Sequence, residues 1–169
     1  ADDISDFQIE GMSIGDSLLD YFTKAEIESA VNYDDLPSDM KFRITEIYLN
    51  SSDSDLYNAY QFYHIPDDKK FIIYGIKAMI DCSNKKDCDK IFNNIKNNLS
   101  IVFKDSKEIG PYTNKHKDDQ SGKSKYTMIA FILLNGTANV AFYNWSDYVK
   151  YKDNVAVEIN SKEVHDWIN

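Results

Sequence analysis

Lys115-His116-Lys117-Asp118-Asp119 is the densest run of ionisable side chains in this chain, and Ser121 and Ser124 follow closely. A histidine oriented by a carboxylate can act as general base toward a hydroxyl. His116 with Asp118 or Asp119, and Ser121 or Ser124 as nucleophile, therefore reads as a hydrolase-like centre. A triad is defined by geometry, which neighbours in sequence rarely have, so the first reading of the run is a solvated loop of alternating charge. The same residues also form a cation cluster. From Lys104 to Lys125 the chain carries seven lysines or histidines against four acids, although its net charge is −9. Such a local reversal can attract a small anion or an acidic protein partner. Tyr112, Lys115, His116, Lys117 and Lys123 are accordingly the candidate ligand-binding residues, and none is assigned a catalytic role.

Ser121-Gly122-Lys123-Ser124 ends like a phosphate-binding loop. The first glycine of that motif would stand five residues before Gly122, where Lys117 is found, and a strand rather than a helix is expected next. The nucleotide reading fails on both counts, and no cofactor is expected. Cys82 and Cys88 are the only cysteines. The histidines His64, His116 and His165 lie far from them in sequence, so a zinc site lacks local ligands and no metal is expected. The even pair flanks a short polar stretch, as a small disulfide-closed loop does, and this points to an oxidising compartment. The opening Ala1-Asp2-Asp3 reads like a mature start after signal-peptide removal.

These groups must be positioned by the elements around them. Ser13 and Asp16 resemble a capping box, and Ile14, Leu18, Tyr21 and Phe22 fall at helical spacing, predicting a helix to about Ala30. Strands are expected over Lys41 to Leu49, Tyr57 to Ile65 and Phe71 to Ile80, with a turn at Pro66-Asp67-Asp68-Lys69. Asp87 is read as the cap of a helix with Ile91, Ile95, Leu99 and Val102 in the core. Lys104 to Lys125 is read as a long polar loop, and Asn135-Gly136 as a hairpin turn between Tyr126 to Leu134 and Asn139 to Trp145. Asn154 to Ile159 is the last strand, and Ser161 caps a terminal turn bearing Val164, Trp167 and Ile168. The expected fold is α+β: one mostly antiparallel sheet of about six strands, two main helices on one face, order α-βββ-α-βββ-α, in a single domain over residues 1–169. The halves share element order, as after a duplication, without a residue-level repeat.

The segments Gly11-Met12-Ser13-Ile14-Gly15-Asp16-Ser17-Leu18-Leu19-Asp20-Tyr21-Phe22 and Ile109-Gly110-Pro111-Tyr112-Thr113 through Ser121-Gly122-Lys123-Ser124 resemble those of small exported proteins of marine bacteria. That resemblance spans essentially the whole chain and implies a periplasmic or secreted protein, with no activity to carry over. Gly-Met-Ser-Ile-Gly-Asp-Ser alone is similar to the first-helix start of small outer-membrane-assembly lipoproteins. The acidic balance and a single arginine, Arg43, argue against nucleic acid, and no apolar run is long enough for a transmembrane segment.

Aromatic residues make up 14% of the chain. Tyr57, Tyr60, Phe62, Tyr63, Tyr74, Phe142, Tyr143 and Trp145 alternate along predicted strands, so a sheet face away from the helices would be aromatic. The leading expectation is an exported, non-enzymatic domain, monomer or weak dimer, that binds a ligand or partner through this face or the Lys104 to Lys125 loop. The alternatives are a hydrolase-like enzyme centred on His116 and an inhibitor or envelope-assembly accessory protein.

Overall fold

The computed structural model describes residues 2–33, 41–50, 53–54 and 56–169. Two 3-10 turns (Ile4–Asp6, Leu18–Asp20) and helix α1 (Lys24–Ser29) precede strands β1 (Val31–Tyr33), β2 (Arg43–Tyr48), β3 (Ala59–His64) and β4 (Gly75–Asp81). Helix α2 (Lys85–Val102) then leads to β5 (Lys107–Lys115), β6 (Lys125–Leu133), β7 (Gly136–Asn144) and β8 (Asn154–Ser161), and helix α3 (Lys162–Ile168) ends the chain. All eight strands form one sheet in the order β1-β2-β3-β4-β8-β7-β6-β5, every neighbouring pair antiparallel.

This corrects the expected six strands and two main helices: among the described residues there are eight strands and three helices. Each half is a helix followed by four strands, not three, and the halves meet where β4 lies against β8, with Ala78 opposite Val157. The two missed strands are the sheet edges. β1 is only three residues long and follows directly on α1. β5 is exposed at all nine positions, so it has no buried face to impress an apolar alternation on the sequence. The stretch read as a long loop is therefore an edge strand, and only residues 116–124 remain as its connection to β6.

The first helix is also shorter than its pattern suggests. Gly15 has a φ of +96°, and backbone bonds from Gly15 N–H to Ile73 O (2.9 Å) and Ile73 N–H to Asp16 O (2.9 Å) tie this segment to residues 71–73. Those non-local bonds displace helical ones, and they delay the start of β4 to Gly75. The helical start is at Thr23, where the capping box with Glu26 is complete. Asn84, not Asp87, caps α2, while the Asp87 carboxylate accepts the Ser83 amide at 3.0 Å. In the β6–β7 hairpin Leu133 pairs with Gly136, so Leu134-Asn135 is the turn. Gly136 is needed for another reason: a Cβ there would collide with the Asn160 carbonyl.

The main core lies between α2 and one sheet face. Cys88, Phe92, Leu99 and Phe103 pack on Ile76, Ala78, Val140, Val155, Val157 and Ile159. Ile91 and Ile95 are half-buried against it, whereas Val102, expected inside, is 53% exposed. The Cys82–Cys88 disulfide joins the end of β4 to the first turn of α2, Cα atoms 5.3 Å apart. Helix α3 packs on the opposite sheet face, at one end, through Val164 and Trp167 against Phe42, Ile44 and Tyr63. Ser161 caps it as expected. No helix among the described residues is long and apolar enough to cross a membrane.

Candidate functional site

Strand alternation sends one residue in two away from α2, and the register lines these up across the sheet. Glu46, Gln61, Lys77, Glu158 and Asn139 are successive cross-strand neighbours on β2, β3, β4, β8 and β7. They form a polar row perpendicular to the strands. Glu46, Glu158 and Asn139 in it are buried. The next row on the same face is Tyr48, Ala59, Met79, Ala156, Ala141, Met128 and Tyr112. Its small alanines lower the floor, and tyrosines stand at both ends. Beyond it Tyr143 and Tyr126 are paired on β7 and β6.

Within the polar row one hydrogen bond joins two members, and the others reach side chains beside it. Gln61 Nε2 donates to the Glu46 carboxylate, and Asn160 Nδ2 donates to Glu158 Oε1 at 2.8 Å. Lys77 Nζ donates to Tyr143 Oη at 3.2 Å and lies 4.5 Å from the centre of the Tyr143 ring. Burial works against the Lys77 charge, but Tyr143, Glu158 and Glu46 outweigh it and hold the ammonium above the ordinary lysine value. Gly75 makes room for this arrangement, because a Cβ there would meet Asn160 Oδ1 and the Tyr63 ring. Asn139 is 8% exposed, and among the described residues its Oδ1 has no hydrogen-bond partner.

His116, just beyond β5, sits in an aromatic corner: its ring is 4.4 Å from Trp145, 5.8 Å from Tyr143 and 6.1 Å from Tyr126. Burial pushes its pKa down, Lys77 and Lys117 add to that, and Asp118 and Asp119 oppose it. The turn over residues 116–124 is built on Asp119. Its carboxylate accepts Ser124 Oγ at 2.6 Å, Ser146 Oγ at 2.7 Å, and the amides of Ser124 (2.8 Å) and Ser121 (2.9 Å). These donors hold Asp119 well below the usual carboxylate range. The Ser124 proton is thus directed to Asp119. Among the described residues no serine hydroxyl lies within hydrogen-bond distance of the His116 ring, so the pairing of His116 with Ser121 or Ser124 weighed from the sequence is not formed.

A groove of ≈ 500 Å³ runs over this face. Four of the sequence candidates, Tyr112, Lys115, His116 and Lys117, line it. Lys123 does not; its Nζ is 3.2 Å from Tyr148 Oη and 4.4 Å above that ring. The residues that sequence reasoning missed are Lys77, Asn139 and Glu158, also in the lining. Part of the signal was present: Lys77 is the one polar residue inside the apolar run of β4, whereas Asn139 and Glu158 share their strands with other polar residues (Thr137 and Asn144 on β7, Asn154, Asn160 and Ser161 on β8) and do not stand out. A second cleft, ≈ 540 Å³, lies beside α1 and β2. Its four acids are already engaged, Glu10 by Tyr60 and Ser54, Glu26 by Thr23, Glu46 by Gln61 and Asp53 by the Asn50 amide. No group of His, Cys, Asp or Glu suited to a metal ion occurs among the described residues.

No known protein family, curated protein or solved structure matches this chain.

Proposed function

We propose that this chain is an exported, non-enzymatic binding protein whose ligand or partner sits on the sheet face opposite α2. The observation that carries this reading is the row Glu46, Gln61, Lys77, Glu158 and Asn139, a polar line with three buried members on a face that α3 covers only at one end. Polar side chains concentrated beside aromatic rings in a concavity of this size are how small-molecule sites fix orientation and affinity. Two of the aromatic residues read from the strands, Tyr63 and Tyr143, line the same groove as Tyr112, Lys115, His116 and Lys117, which supports reading them together, whereas Tyr57, Tyr60, Phe62 and Phe142 pack in or against the main core on the α2 side. Export is supported by the Cys82–Cys88 disulfide and by the resemblance to exported proteins.

A second reading, an inhibitor or envelope-assembly accessory protein, is favoured by the exposure of Tyr48 (67%), Tyr148 (69%) and Tyr151 (64%), since tyrosines are enriched in protein interfaces. Chemical-shift mapping with a set of neutral, cationic and anionic ring fragments tests the main reading. Shifts should concentrate at Tyr112, Tyr126, Asn139 and Tyr143. Shifts confined to the α2 side, or none from any fragment, would overturn it.

A further inference from the structure

We infer that the groove takes a small aromatic carboxylate bearing a ring hydroxyl or N–H, its carboxylate paired with Lys77 and its ring against Tyr112, Tyr126 and Tyr143. This rests on the groove being the binding site. Lys77 carries the argument. Among the described residues its one hydrogen-bond partner is the Tyr143 hydroxyl, and no carboxylate comes within ion-pair distance of Nζ. The two acids nearest in the row are turned elsewhere, Glu46 to Gln61 and Glu158 to Asn160. An ammonium has three N–H donors, and among the described residues this one donates a single hydrogen bond, so an incoming carboxylate finds donors to pair with.

The rest of the lining matches the same ligand. Its charged side chains are Lys77, Lys115 and Lys117 against Glu158 alone, in a chain of net charge −9. The anion is thus drawn to this face of an otherwise acidic molecule. Tyr112 and Tyr126 meet edge-on at 6.4 Å, and Tyr126 and Tyr143 lie 6.0 Å apart, tilted by 33°. Together with Met128 they form an aromatic and thioether wall for a flat ring. The unpartnered Asn139 carbonyl oxygen is an acceptor, which calls for a donor on the ligand body. A volume of ≈ 500 Å³ holds one such molecule and not a folded domain.

The test uses the whole protein and two acid–amide pairs, indole-3-acetate with indole-3-acetamide and 4-hydroxyphenylacetate with its amide, titrated with chemical-shift mapping. Each acid should bind in the groove about tenfold tighter than its amide at low ionic strength, and the preference should shrink as salt is raised. Lys77→Met, checked for an unchanged melting transition, should abolish the preference while leaving ring binding in place. The wild-type comparison stands even where that variant does not fold. Acid and amide binding equally within the groove would overturn the carboxylate assignment and leave the binding face intact. Occupancy of the groove by cellohexaose or an acidic peptide alone would overturn it too, and no groove shifts from any probe would overturn both readings.

Discussion

His64 and Asp119 show how single side chains are set by their surroundings. His64 is 2% exposed, with Nε2 2.8 Å from Thr45 Oγ1 and Nδ1 3.1 Å from the Ile65 carbonyl. A carbonyl can only accept, so Nδ1 donates to Ile65 O, while Thr45 Oγ1, beside Nε2, donates to Asn32 Oδ1 at 2.9 Å. Burial lowers its pKa and Arg43 adds to that, while the Ile65 bond and Asp68 oppose. Below about pH 6.5 the unfolded chain takes up a proton that the native ring refuses. The unfolded state then binds more protons, so stability must fall as pH drops from about 6.5 toward the native value. Urea midpoints across that range should decline in the wild type and decline less steeply in His64→Gln; identical slopes would show that another group governs the dependence. Asp119→Ala should release the turn over residues 116–124 without unfolding the sheet. Hydrogen exchange at the Ser121 and Ser124 amides, which Asp119 accepts, should accelerate while that of Val140 and Val157 stays slow.

Elements hold through different means on the two sheet faces. Helix α2 is fixed by apolar burial and by the disulfide at its first turn. Phe92, 7% exposed in the main core, should cost about 3–5 kcal/mol on truncation to Ala, and the half-buried Ile95 less, both read from denaturant unfolding. Replacing Cys82 and Cys88 by Ser should cost about 2 kcal/mol, since so short a loop removes little chain entropy. Alkylation without reductant should label neither thiol in the native protein, and two labelled cysteines would contradict the bond. Strand β5 shows the opposite case. Its register breaks between Ile109 and Tyr112 at Gly110-Pro111, and lysines stand at both of its ends. A bulge, a proline without an N–H and flanking charge all discourage another chain from pairing with this edge.

At the scale of the molecule, the symmetry of the strand order does not make two domains. The main core draws Leu18, Phe62 and Ile76 from the first half and Phe92, Val140 and Val157 from the second. The central β4–β8 pair is the seam between the halves, so neither half buries its own apolar face alone. Unfolding is therefore expected as one cooperative transition. Far-ultraviolet and near-ultraviolet signals should trace coincident curves in denaturant, and two resolved midpoints would show that the halves fold independently. The aromatic corner around Trp145 supplies the near-ultraviolet probe, because its rings lie on the face away from α2.

The disulfide, the α2 helix, the β3, β6, β7 and β8 strands and the capped α3 were all legible in local pattern, because each is set by contacts near in sequence or by a buried face that imposes a period. The edge strands and the broken first helix were not. β5 is exposed throughout and carries no alternation, and the pattern around Leu18 is overruled by backbone bonds to residues 71–73. The candidate site was half visible: Tyr112, Lys115, His116 and Lys117 cluster in sequence, and so they could be named. Lys77, Asn139 and Glu158 come from three strands, and only register makes them neighbours. A cross-strand row is a long-range property: shifting any one strand by a single residue would send its member to the opposite face. Composition and periodicity could say that polar residues interrupt the strands, whereas the tertiary pairing alone decided that they meet.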